Sequence, residues 1–293
     1  MHLIQETFSH RRPEPEESIL YIVGTPIGNL KDISERAKYI LSKVSLIACE
    51  DTRNTRKLLH CYGLNNKLIS FNEHNSKSKI PFLISELQKN KTIALVSDAG
   101  MPLISDPGEL LIKEVRKAGF EAVTIPGPCA ATTALVCSGL SSSRFIFYGF
   151  IPKSGKERDN MLHSISSNEF TSIIYESPKR VLKLLEDLRE LCGDERKISI
   201  SKELTKKYEQ NICCNFKDAI DYFSKIKPIG EFTLIISPKD KLIDSERIEN
   251  NLLKEELFEL VSAGLSHSYA SNYLAKKYKK SKNKIYKLLL DYK

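Results

Sequence analysis

The residues of this 293-residue chain best suited to chemistry sit in short loops of its first half. Gly24-Thr25-Pro26-Ile27-Gly28-Asn29-Leu30, Ser97-Asp98-Ala99-Gly100-Met101-Pro102 and Pro126-Gly127-Pro128-Cys129-Ala130-Ala131 combine Gly, Pro and small side chains. Gly lets a backbone approach a ligand closely, and Pro holds the turn still. Small residues at 129–131 leave room for a bulky group. Cys49-Glu50-Asp51-Thr52-Arg53 places two acids beside a cation, which suits either a substrate grip or, at Asp51, a helix cap. Phe71-Asn72-Glu73-His74-Asn75 adds His74, a base or a surface residue. No loop is a G-x-G-x-x-G fingerprint with its ribose-binding acid, and there is no G-x-x-x-x-G-K-[ST] run, so neither a dinucleotide nor a P-loop site is expected. Seven cysteines, of which only Cys213 and Cys214 are close in sequence, match no zinc spacing. Without a secretory signal they read as free thiols in a reducing cytosol, and no metal is expected.

These loops need a frame that brings them together. Apolar runs predict strands at 19–23, 46–49, 68–71, 92–96 and 122–125. Between and after them, helical patterns cover about 33–43, 53–61, 78–89, 107–118 and 129–139. This βαβα order predicts a largely parallel sheet with helices on both faces. Each loop then falls at a strand's carboxyl end, where open α/β sheets bind ligands. The second half predicts strands at 144–150, 171–175, 197–202, 209–213 and 232–236, with a polar helical segment after the first and helices near 178–191 and 216–225. Two strands follow each other between 197 and 213 without a helix, so this sheet is predicted to be mixed. The expected division is a loose tail over 1–17, an α/β domain over 18–140, a second α/β domain over 144–240 that closes the cleft, and a helical module over 245–293.

The loops in order are similar to the tetrapyrrole methylase superfamily. The stretches that carry the likeness are 24–30, Glu50-Asp51-Thr52-Arg53, 97–102 with Asp106-Pro107-Gly108, and 126–131. Tyr175-Glu176-Ser177-Pro178 with Arg180, Lys202-Glu203-Leu204-Thr205-Lys206 and Gly230-Glu231-Phe232-Thr233 continue it, so that it spans about 19–237. Within the superfamily the chain resembles the branch that methylates small-subunit ribosomal RNA. The resemblance implies a two-domain enzyme that binds S-adenosylmethionine between its domains and methylates a cytidine ribose 2′-hydroxyl in the decoding region of 16S ribosomal RNA. It also implies a homodimer. Carried onto this sequence, the cofactor site would use Ile27, then Asp98, Ala99, Gly100 and Met101, then Cys129 and Ala130. Tyr175, Leu204 and Thr233 would close it from the second domain. Met101 departs from the branch, where a small polar residue such as Thr is common.

A 2′-hydroxyl is a poor nucleophile until its proton leaves, so a base is expected. The candidates are Asp51, Glu50, His74 and Glu203, with Asp51 the first choice because it neighbours Arg53 at the strand ends. Arg53, Arg56, Arg180 and Lys202 are candidate phosphate or ribose contacts. Charge adds a second expectation. The formal net charge is +8, yet residues 276–293 hold eight Lys against Asp291. The remaining body is therefore nearly neutral, and Lys276, Lys277, Lys279, Lys280 and Lys284 mark a basic helix-turn-helix-like handle for RNA phosphates. No run of eighteen apolar residues exists, so no transmembrane helix is expected, and the cytoplasm is the expected place of action. Two other readings fit the same residues. One is a related methylase acting on a precorrin or a diphthamide intermediate, which would not need the basic end. The other is a non-catalytic RNA-binding assembly factor that kept the fold.

Overall fold

The computed structural model describes residues 13–239, 241–283 and 285–286. The chain forms two compact units, 1–238 and 239–293.

In the first unit, β1 (Ile19–Val23), β2 (Leu46–Cys49), β3 (Leu68–Ser70), β4 (Ile93–Val96) and β5 (Glu121–Ile125) form a parallel sheet in the order β3-β2-β4-β1-β5. β1, β2 and β4 are buried on both faces, which explains their continuous apolar runs. Alternate residues feed opposite layers. Tyr21, Val23, Ile47 and Ala94 meet α1 (Glu35–Lys43) and α2 (Thr52–Cys61) through Ile40, Leu41 and Leu59. Leu20, Ala48, Ile93 and Leu95 meet α3 (Ser76–Gln88) and α4 (Glu109–Lys117) through Leu83, Leu87, Leu111 and Val115. Period-2 strands facing period-3.6 helices thus produce the three layers the sequence predicts.

The second sheet contains β6 (Phe145–Phe150), β7 (Thr171–Glu176), β8 (Lys197–Lys202), β9 (Gln210–Asn215) and β10 (Phe232–Ile236), in the order β6-β7-β10-β8-β9. Only β6 and β7 run parallel; the other pairs are antiparallel, so the sheet is mixed. α6 (Lys156–Ser167), α7 (Val181–Cys192) and α8 (Phe216–Lys225) cover one face. The other face receives α5 (Ala130–Cys137), which follows β5 of the first sheet: Ala131, Ala134 and Leu135 pack on Ile173 and Ile235. This one short helix belongs to both halves, so the two sheets share a single unit although the chain between them, at 139–143, reads as a break.

Of the tail expected over 1–17, residues 1–12 lie outside the described residues. Glu14 is paired with Arg36, and the Glu16 N–H donates to the Tyr21 hydroxyl at 2.9 Å, so 14–16 are held against the body rather than loose.

The second unit holds α9 (Lys241–Ser262) and α10 (His267–Lys277), joined by a turn at Gly264, whose φ is +95°. α9 starts eleven residues before the apolar pattern at 252 predicts it. Leu253, Leu257, Ala270, Leu274, Ala275 and Ile285 bury a small core of their own.

Candidate active site

Loops after three neighbouring strands of the first sheet are stitched together. Thr25 and Gly100 exchange backbone hydrogen bonds at 2.9 and 3.1 Å, and the Gly24 N–H donates to the Ile125 carbonyl at 3.2 Å. Gly24 and Gly127 touch: a Cβ on Gly24 would stand 2.7 Å from the Gly127 Cα and 2.6 Å from the Met101 Sδ. Here glycine is a requirement of contact. Gly100 needs its freedom for a second reason, with φ at +84° and Ile27 where a side chain would go.

Beyond these loops, facing the second sheet, lies a cleft of about 410 Å³. Ile27, Asp98, Ala99, Gly100, Met101, Cys129 and Ala130 line it from the first sheet's side, Tyr175 and Thr233 from the second. Nine of the ten residues expected at the cofactor are thereby brought into one cavity. Leu204, the tenth, is buried in the apolar cluster that also holds Ile27 and Tyr175 and does not line the cleft. Tyr175 also supplies a cap. The N-cap residue of α5, Cys129, makes no side-chain capping bond, and the Tyr175 hydroxyl instead accepts the Ala131 N–H at 2.9 Å. Phe147 and Phe150 pack edge-on against the Tyr175 ring at 4.9 and 5.6 Å. Burial raises the Tyr175 pKa well above that of a free phenol, so the hydroxyl stays protonated.

A second cavity of about 630 Å³ adjoins the first, with Ser105 and Asp106 in both linings. Glu50, Glu73, Asp106 and Glu109 make it acidic, with Lys113 the cation on its wall. Burial, reinforced by Asp98 and Asp51, raises the Glu50 pKa. Asp106 is raised to about 6, chiefly by burial and further by Glu50 and Asp98, against the opposing influence of the Ser97 hydroxyl. Asp106 did not stand among the expected bases, and its only sequence signal is the Asp-Pro-Gly turn that ends the loop after β4.

The expected bases are scattered. Glu50 reaches the acidic cavity. Asp51 caps α2 by accepting the Arg53 N–H at 2.8 Å, and its second oxygen takes the Arg53 guanidinium at 2.7 Å. Those bonds to Arg53 lower its pKa to about 2. A carboxylate so held is a weak proton acceptor. His74 is an exposed turn residue outside both linings. Glu203 is paired with Lys206 at 3.0 Å and accepts the Glu231 N–H at 2.9 Å, tying the end of β8 to the start of β10.

The candidate RNA contacts divide too. Arg53 is committed to Asp51, while Arg56 is exposed. Arg180 is ion-paired with Glu176 at 3.1 Å and donates to the Ile151 carbonyl, which makes it a brace between β7 and the end of β6. Lys202 is half-buried at the end of β8. In the second unit Lys276 and Lys279 are exposed, Lys280 is half-buried and Lys277 pairs with Glu256 at 2.8 Å; Lys284 lies outside the described residues.

A doubly wound sheet whose glycine loops face a second, mixed sheet across an apolar cleft defines a class. The family model for tetrapyrrole (corrin/porphyrin) methylases matches residues 19–219, and the chain belongs to that family. It is 43% identical to ribosomal RNA small subunit methyltransferase I of Synechocystis sp., over 93% of this chain and 98% of that protein. With the protein of the same description from Thermotoga maritima it shares 45% identity, over 75% of this chain and 99% of the relative. Among solved structures, diphthine synthase superposes with a TM-score of 0.59 at 15% identity, covering 75% of this chain and 90% of that one, a likeness of fold.

Proposed function

We propose that this chain transfers a methyl group from S-adenosylmethionine to the 2′-hydroxyl of a cytidine in the decoding region of 16S ribosomal RNA. The observation that carries the donor half is the cleft in which separate loops, chosen on sequence alone, converge. Its volume lies within the roughly 300–1,000 Å³ of small-molecule sites. The fit is also chemical. Gly24 and Gly127 let the loops after β1 and β5 close on each other, Gly100 brings bare backbone to the cleft wall, and apolar Ile27, Met101, Ala130 and Phe150 meet the polar Asp98, Glu176 and Thr233 around it. When bound there, S-adenosylmethionine supplies an already activated methyl on a sulfonium. The chain's own task is positioning. The loops after β1, β4 and β5 would hold the donor, Tyr175 and its aromatic neighbours exclude water above it, and a carboxylate must take the acceptor's proton.

The acceptor half is supported by the relatives described as ribosomal RNA methyltransferases, one of which aligns over 93% of this chain. Exposed Arg56, Lys276 and Lys279 are the proposed phosphate contacts. Splayed or single-stranded RNA is the form that could present its ribose to such a cleft. No helix among the described residues is long and apolar enough to cross a membrane. The proposed assembly is a homodimer: Val136 on α5 and Phe145 and Ile146 on the edge strand β6 leave apolar surface exposed on the body, and sedimentation at micromolar concentration reads the state.

The deciding experiment offers labelled S-adenosylmethionine and the purified chain to small ribosomal subunits from cells lacking the activity, then maps the labelled nucleotide. Label on one cytidine ribose supports the proposal. Label on a base, or on protein alone, refutes it.

A further inference from the structure

The donor cleft and the acidic cavity share one wall, made by Ser105 and Asp106. The loop that carries this wall is bent by backbone that most residues avoid: φ is +75° at Leu103, +64° at Ser105 and +145° at Gly108. Strain of this kind persists only where the surroundings enforce it, and it gathers at working sites. Here both sheets enforce it. A Cβ on Gly149, at the irregularity in β6, would stand 3.1 Å from the Ser105 Oγ, and Leu95 of the first sheet closes on Gly108 together with Leu103 of the loop itself. Asp106 is therefore a carboxylate set in a rigid partition between two hollows.

We propose that Asp106 is the base of the methyl transfer: the acceptor nucleoside occupies the acidic cavity, and its hydroxyl meets Asp106 across the shared wall. The proposal rests on the methyltransferase reading above. Its step balances simply. The acceptor O–H proton passes to the Asp106 carboxylate. The oxygen's electron pair forms the bond to the methyl carbon, and the carbon–sulfur pair stays on the sulfur of the departing thioether.

The groups facing Asp106 suit that task. The Ser97 hydroxyl favours its charged form, Glu50 and Asp98 repel its charge, and Tyr175 stands across the donor cleft. Glu73, Glu109 and Lys113 complete the second cavity. With its pKa at about 6, Asp106 is mostly ionised at neutral pH yet a better proton acceptor than an ordinary carboxylate. Carboxylates around the cavity accept from hydroxyl and amino groups and repel phosphate, so a sugar and an amino-bearing base enter while the strand's phosphates stay outside.

The test compares the full chain with Asp106→Asn and Asp106→Glu, using small ribosomal subunits as acceptor and calorimetry for S-adenosylmethionine. The acid form is inactive, so the wild-type kcat rises between pH 5 and 7 and is level above, following the titration near pH 6. Asp106→Asn lowers kcat by about 10²- to 10⁴-fold and removes that acid limb, while the S-adenosylmethionine Kd stays within about threefold. Asp106→Glu recovers part of the rate. A kcat for Asp106→Asn within about threefold of wild type overturns the assignment, as does a rate loss matched by lost donor binding. If Asp106→Asn does not fold, the wild-type profile decides: a kcat flat from pH 5 to 8 overturns the proposal. Failure of the wild-type chain to label any ribose would instead overturn the function proposed above.

Discussion

Asp51 and Asp106 show how little residue type says by itself. Both are aspartates beside the carboxyl ends of the first sheet, yet Arg53 holds Asp51 at a pKa of about 2 and burial lifts Asp106 to about 6. The Asp106 shift is also a statement about stability. Its carboxyl binds a proton more tightly folded than unfolded, so its favourable contribution is full below pH 4 and is lost as pH rises through 6. The Asp106→Asn protein should therefore be more stable than wild type at pH 7.5 and equal to it near pH 4. Partial exposure discounts the shift to about 1–2 kcal/mol, or a few degrees in Tm by calorimetry. Gly24 makes the opposite prediction. In Gly24→Ala the new methyl meets Gly127 backbone at 2.7 Å, so the loops after β1 and β5 must part. We expect a loss of about 1–3 kcal/mol in denaturant unfolding, with weakened S-adenosylmethionine binding.

α5 is the element on which the site turns. It begins at the end of the first sheet, packs on the second and takes its cap from Tyr175 of β7. Tyr175→Phe leaves the buried start of α5 short of one acceptor. The expected cost is about 1–2 kcal/mol, seen as an earlier unfolding midpoint, with donor affinity falling alongside. Tyr148→Phe removes a hydroxyl that meets Ser164 at the surface, so it should leave both unchanged. The elements themselves were largely legible in the sequence. Strand runs buried on both faces and amphipathic helices leave strong local patterns, and each predicted strand end lies within two residues of the observed one. The start of α9 was not legible, because residues 241–251 lack a strong apolar stripe and their helicity is not announced by spacing.

At the scale of the whole molecule, the Lys-rich end and the cleft proposed for methyl transfer lie in different units. The chain cut after Pro238 keeps both sheets and the cleft, and loses the Lys-rich end. The truncated protein should bind S-adenosylmethionine with unchanged Kd, while its RNA affinity falls at least about tenfold at 0.1 M salt and the salt dependence flattens by about 0.7 per lost phosphate contact. Filter binding over a salt series reads both. An unchanged slope would leave the basic end a solvated tail.

The sequence by itself determined the order of strands and helices, the glycine loops at the strand ends, the family and the concentration of charge at the end of the chain. Those are written in local composition and short-range spacing. Only the tertiary structure decided which loop residues share a cavity. It left Leu204 buried outside the cleft lining, committed Asp51, Arg180 and Glu203 to partners, and set Asp106 between two hollows. A carboxylate's chemistry depends on neighbours such as Glu50 and Ser97, which stand far from Asp106 or face it only after folding. Burial and long-range contact, which set the pKa, have no spacing of their own to read.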